Sequence, residues 1–150
     1  MHGTCAAFQL DLREELRALA TEPASLIAWP AQDPPADRLV LSKPVAVTLL
    51  PREHVRLSVE PKRAGTYAGL VGFRVAHPGR YRLSVGSPAW IEVVGKSGRI
   101  EPTAFEMQTQ CPTLFKTVVF PLDAGTAYWV ELASSRDSVT LLLTEEPAGP

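Results

Sequence analysis

The sequence predicts an all-β fold: an antiparallel β-sandwich of jelly-roll-like type, with eight or nine strands and one short N-terminal helix. Three observations carry this expectation. From residue 39 onward, short runs rich in β-branched and aromatic residues recur, each closed by Pro, Gly, Ser or Asp. Many of these runs alternate with period two, the pattern of a half-buried strand. Only one stretch of the chain repeats with a helical period.

That stretch is DLREELRALA, residues 11–20. Asp11 is placed as N-cap, with Glu14 three positions on closing a capping box. Leu12, Leu16 and Leu19 form one apolar face, and Pro23 ends the helix. Residues 21–38 read as a proline-rich connector, too short and too mixed to join two domains. Within it SLIAW is apolar and is expected to tack onto the core, with Trp29 as a plug over one of the strand tryptophans.

The runs RLVLS, PVAVTLLP, HVRLSVEP, LVGFRVAHPG, RYRLSVGSP, AWIEVVGKSG, LFKTVVFPLDAG, AYWVELASS and SVTLLLTEE then supply the strands of residues 39–146. Consecutive hairpins favour antiparallel pairing. Phe73 and Val75 share one face, as do Tyr81, Leu83 and Val85 on the return strand. Arg74, Arg80 and Arg82 lie opposite, towards water. HPG at 77–79, LDAG at 122–125 and SSRD at 134–137 are turns. The segment LPREHVRLSVEPKR carries Arg52, Arg56, Lys62 and Arg63, partly balanced by Glu53 and Glu60. It reads as a solvated strand edge. The tail EEPAGP is expected to fray.

The totals exclude several classes. A chain of 150 residues forms a single domain, residues 1–150. Hydrophobic residues make up 45% and charged residues 21%, ordinary values for a globular protein. The net charge is -1, so a non-specific role on nucleic acid has no electrostatic support. No apolar run reaches the ~20 residues of a membrane-spanning helix. The start lacks a basic region followed by an apolar stretch and a cleavage site. It is read as the opening of a mature, exported domain, with a cytosolic protein as the alternative.

Of the two cysteines, Cys5 precedes the helix and Cys111 precedes a long strand run, both outside predicted strand centres. The expectation is a disulfide tying the N-terminal segment onto the sheets, which requires an oxidising compartment. Two unrelated buried thiols are the alternative. No C-x-x-C or other paired spacing supports zinc.

The central block YAGLVGFRVAHPGRYRLSVGSPAWIEVV, residues 67–94, resembles the middle of the pre-peptidase C-terminal domains of secreted bacterial enzymes. In those domains an F-x-V strand meets a Pro/Gly turn and a Y-x-x-S-V strand. The acidic strand that usually follows them is replaced here by PAWIEVV. Over most of its length the chain is similar to a family of small exported proteobacterial proteins. CAAF near the start, the same central block and CPTLFKTVVFPLDAG carry that likeness. The resemblance implies a periplasmic or secreted accessory domain and supplies no activity.

Motifs of catalysis are missing. His2, His54 and His77 fall into no ligand spacing. VGSPAW lacks the second glycine of a nucleophile elbow. GKSG at 95–98 lacks the upstream glycine and the helix of a phosphate loop, and reads as a hairpin turn. No catalytic residue, metal site or cofactor is assigned. Glu92 and Glu131 alternate with apolar neighbours and are expected on the solvent face. That would place Trp90 and Trp129, two positions away, on the same wet face. Trp90, Trp129 and the strand-entry Tyr67 are therefore the candidate ligand-binding residues, although burial under neighbouring loops would remove the tryptophans. The expected function is a non-catalytic exported domain that binds a carbohydrate, a cell-envelope component or another protein. The alternatives are a metal-dependent enzyme on the same sandwich and a purely structural or protein-interaction domain.

Overall fold

The period-two runs hydrogen-bond into two sheets in a computed structural model that describes residues 4–32, 37–61 and 65–147. After a 3-10 turn at Cys5–Ala7 comes one helix, α1 (Arg13–Leu19). Eleven strands follow: β1 (Ala24–Ile27), β2 (Val45–Thr48), β3 (Leu50–Pro51), β4 (Tyr67–Phe73), β5 (Gly79–Val85), β6 (Trp90–Gly95), β7 (Gly98–Arg99), β8 (Ala104–Met107), β9 (Lys116–Leu122), β10 (Tyr128–Ser134) and β11 (Ser138–Glu145). The larger sheet has the order β1-β2-β11-β5-β9-β8, and the smaller β3-β4-β10-β6-β7. Every strand pair is antiparallel except β1 with β2, which is parallel.

Alternation decides which side chains meet. Val47, Leu141, Leu83 and Phe120 from the larger sheet join Val71, Phe73, Val130, Leu132 and Val93 from the smaller in one buried apolar cluster. Each such side chain contributes about 1.5–3 kcal/mol on leaving water, so this shared core sets the register of both sheets. The expected faces hold: Phe73 and Val75, and Tyr81, Leu83 and Val85, all enter this core.

The outer faces depart from expectation, because both are covered. Over the larger sheet lie α1 and the segment before it, where Leu12, Leu16 and Leu19 pack with Leu114 and the two cysteines. Arg82 is consequently buried, in contrast to the exposed Arg74 and Arg80. Its guanidinium donates to Asp11 O at 2.7 Å and lies 3.4 Å from Glu15, whose carboxylate accepts the Thr144 hydroxyl at 2.6 Å. Over the smaller sheet lies the segment 52–61, which opens with a 3-10 turn at Arg52–His54 and packs Val55 and Leu57 on Ala68, Leu70 and Ala133.

Several local expectations change. HVRLSVEP forms that covering strap and not a strand; the backbone N–H groups of Ser58 and Val59 go to a side chain, Glu131. RLVLS is irregular too: Lys43 N–H donates to Val40 O, and Ser42 takes a positive φ of 65°. The connector 21–38 contributes β1, and Trp29 makes an isolated bridge with Leu70. The helix begins at Arg13 with Leu12 as its cap, not at Asp11. Asp11 is engaged by the Arg13 amide and guanidinium, and Glu14 by the Ser42 hydroxyl, so no capping box closes. The guanidinium holds the Asp11 carboxyl at about 2, below the usual carboxylate range. Chain reversals form at 122–125 and 134–137, Gly125 with the positive φ of 71° that suits glycine, but they and the 77–79 turn join strands of different sheets, so the expected consecutive hairpins do not form there. His2, Lys62, Arg63, the connector residues 33–36 and the end of the tail at 148–150 lie outside the described residues.

Candidate ligand-binding cleft

The alternation of β8 builds the site. Ala104, Phe105, Glu106 and Met107 pair with Val119, Val118, Thr117 and Lys116 of β9. Directly opposed residues share a face. Phe105 and Met107 therefore lie on the side of Lys116 and the core residue Val118, and Glu106 on the side of Thr117. Glu106 is occupied there: its carboxylate accepts the Gln9 N–H and, at 2.9 Å, the Leu10 N–H of the N-terminal segment. Phe105 and Met107 have no such cover. They are 66% and 45% exposed, on a strand bonded, among the described residues, to a neighbour on one side only.

Beside them opens a cleft of about 470 Å³, walled by Phe105, Met107, Phe115, Lys116 and Trp90 and closed by Ala133, Ser134 and Ser135 at the end of β10. This is the size of a small-ligand site. The Lys116 ammonium lies 5.1 Å from the centre of the Trp90 ring and 5.9 Å from that of Phe105, a double cation–π contact. Gly65 makes the far wall: a Cβ there would come within 2.6 Å of the Ser134 backbone nitrogen. The Ser134 hydroxyl donates to Pro88 O at 2.8 Å, which fixes the loop before β6. Aromatic and thioether surface with one cation and a few hydroxyls can stack on a ring or receive an apolar side chain. Among the described residues, its lining contains no carboxylate or imidazole for proton transfer.

The three sequence-derived candidates are not brought together. Trp90 lines the cleft; Trp129 and Tyr67 do not. Trp90 pairs with Ala133 and Trp129 with Val94 in one ladder, so the two tryptophans stand four residues apart along it, about 13 Å. Both share the face of Glu92 and Glu131, as alternation requires, yet that face is not wet. Glu131 is 1% exposed, with its carboxylate taking the Ser58 N–H at 2.9 Å and the Val59 N–H at 3.1 Å. Glu92 is 3% exposed and accepts from Arg99 Nε at 2.9 Å, which raises the guanidinium pKa. Both tryptophans are half-buried, and their buried indole N–H groups have no hydrogen-bond partner among the described residues. Trp29 packs with the Arg38 guanidinium, 4.9 Å from its ring centre. Tyr67 sits at the start of β4 opposite Ser134 and packs against the main core.

Phe105 and Met107 were missed by the sequence reading, although AFEM alternates as a strand should. Four residues between prolines at 102 and 112 give a weak signal for a strand and none for exposure.

Cys5 and Cys111 form a disulfide and close a loop across a separation of 106 residues. Among the described residues no three His, Cys, Asp or Glu side chains are grouped to hold a metal, and His54 and His77 are both exposed. No described helix is long and apolar enough to cross a membrane. A second concavity of about 220 Å³ lies beside α1, lined by Asp11, Arg13, Glu14, Glu15, Arg17, Arg82 and Pro147. Its buried charges, Glu15 and Arg82, are spent on each other and on holding α1 to β5 and β11. No protein-family model matches the chain, and no curated protein matches it.

Proposed function

We propose that this chain is a non-catalytic binding domain of jelly-roll-like sandwich type that works outside the reducing cytosol and takes its ligand in the cleft beside β8. The observation that carries this reading is the exposed pair Phe105 and Met107, set against Trp90 and Phe115 around a cleft of about 470 Å³. Large apolar side chains left in water on one rim of a cleft are the usual mark of a binding surface. The disulfide supports export, since such bonds persist in oxidising compartments. A cell-envelope component is the ligand proposed. A saccharide would stack on the Trp90 and Phe105 rings and bond to the Ser135 and Thr109 hydroxyls.

The test is a titration of soluble peptidoglycan fragments and oligosaccharides, followed by backbone amide shifts and tryptophan fluorescence. Saturable shifts at residues 104–107 and at Lys116 are expected. Trp90→Ala and Phe105→Ala should each weaken binding about tenfold, the scale of one lost aromatic contact. Binding that ignores both substitutions would remove the site from the cleft.

A further inference from the structure

The larger sheet ends on an edge that differs from the others. Among the described residues, strand β8 bonds to β9 alone. The Gln108 N–H donates to Phe115 O at 3.0 Å, which makes 108 and 115 a hydrogen-bonded pair. Antiparallel pairs alternate between bonded and non-bonded. The backbone groups of Glu106 and Ala104 are thus turned inward to β9, and those of Phe105 and Met107 outward, to the open edge.

Natural sheets guard such edges with charge, proline, brevity or cover. Two of the other edges are guarded and β1 is partly so. On β1 the Arg38 guanidinium donates to Ile27 O at 2.6 Å, although that strand too has neither proline nor charge and its Ile27 is 63% exposed. β3 is two residues long and contains Pro51; β7 is two residues long and contains Arg99. β8 has neither proline nor cation, and its one charged side chain, Glu106, faces the N-terminal segment. Its apolar side chains flank the cleft.

We propose that the β8 edge accepts an extended segment of another polypeptide as an added strand. The outward N–H and C=O groups of Phe105 and Met107 bond to the incoming backbone. Alternate apolar side chains of the segment enter the cleft beside Trp90, and the residue between them stands opposite Glu106. That position favours a basic side chain, the complement of the Glu106 carboxylate it would face. The same charge disfavours a second copy of this chain. In a symmetric antiparallel pairing, Phe105 of one copy bonds to Met107 of the other and the two Glu106 side chains are directly opposed, which is destabilising. Strand addition draws affinity from main-chain bonds and specificity from pockets for alternate side chains. This inference puts a peptide in place of a saccharide in the cleft, and it rests on the binding role proposed above.

The experiment is selection of a phage-displayed random peptide library on the disulfide-intact protein, followed by synthesis of the enriched peptides. An apolar–basic–apolar alternation is expected. N-methylation of the peptide amides that join the edge should weaken binding about tenfold, the worth of one hydrogen bond. Met107→Pro, which removes an outward N–H, should do the same, and thermal melting checks that it folds. Phe105→Ser, at an exposed side chain, is the second variant. Enriched peptides indifferent to N-methylation and to Met107→Pro would overturn strand addition and leave the cleft as a side-chain pocket. Saccharide binding with no enriched peptide would overturn it and leave the binding role intact. Failure of both ligand classes would remove both proposals. Self-association abolished by Met107→Pro would replace the foreign segment by a second copy.

Discussion

Tyr81 shows how much a single residue's setting depends on tertiary contacts. Its position on the inward face of β5 follows from alternation with Leu83 and Val85. The turn before it supplies the hydroxyl's partner, since the phenol donates to His77 O at 2.7 Å. Burial first, and the charge of Glu145 second, raise its pKa above the ordinary 10.0. The sign follows from linkage: a pKa raised in the folded state adds stability below pH 10 that is lost as pH rises through the folded value. Ultraviolet titration at alkaline pH should show a late ionisation step that Tyr81→Phe removes. A titration unchanged by Tyr81→Phe above pH 10 would contradict it. Glu131 teaches the opposite lesson. Its face was legible from its neighbours, yet its solvent exposure was not, because the covering segment comes from 72 to 73 residues away in sequence.

At the scale of elements, the strap of residues 52–61 depends on that carboxylate. Its apolar side chains, Val55 and Leu57, look like alternate residues of a strand, which is how the sequence reads. No strand neighbour takes its Ser58 and Val59 amides, and Glu131 does so from below. Glu131→Ala would remove the charged acceptor of these part-buried amides and cost about 1.5–3 kcal/mol. Urea denaturation measures the loss, and amide exchange should quicken first at Ser58 and Val59. An unchanged midpoint would mean that packing alone holds the strap. Similar reasoning explains α1. Its apolar face was readable from the spacing of Leu12, Leu16 and Leu19, whereas its start was displaced when Arg13 captured the expected cap, Asp11.

For the whole molecule, the disulfide joins the N-terminal cover to the loop before β9. Cys5, Cys111, Leu12 and Leu114 form one small cluster over the larger sheet. A bridge across 106 residues restricts the unfolded chain, worth about 4–5 kcal/mol on the chain-entropy account. Replacing both cysteines by serine should lower the thermal midpoint, and reductant should lower that of the unaltered protein to a similar degree. A double variant as stable as the parent would show that apolar contacts alone secure the cover. The same cover fills the outer face beside β8 through Glu106, so its loss should also loosen the edge strand.

Local periodicity by itself determined the all-β class, the inward faces of β4, β5, β6 and β10, the helix, the main turns and the isolation of the two cysteines from any ligand motif. These follow from residues two to four positions apart, where pleat or helix turn dictates what is adjacent. The tertiary structure alone decided which outer faces meet water, that β1 runs parallel to β2, that Trp90 lines a cleft while Trp129 and Tyr67 do not, and that AFEM forms an unguarded edge. Each of those outcomes depends on segments far apart in sequence packing against one another. Chain entropy, apolar burial and the need to satisfy every buried amide select that arrangement for the molecule as a whole, and no window of neighbouring residues contains it.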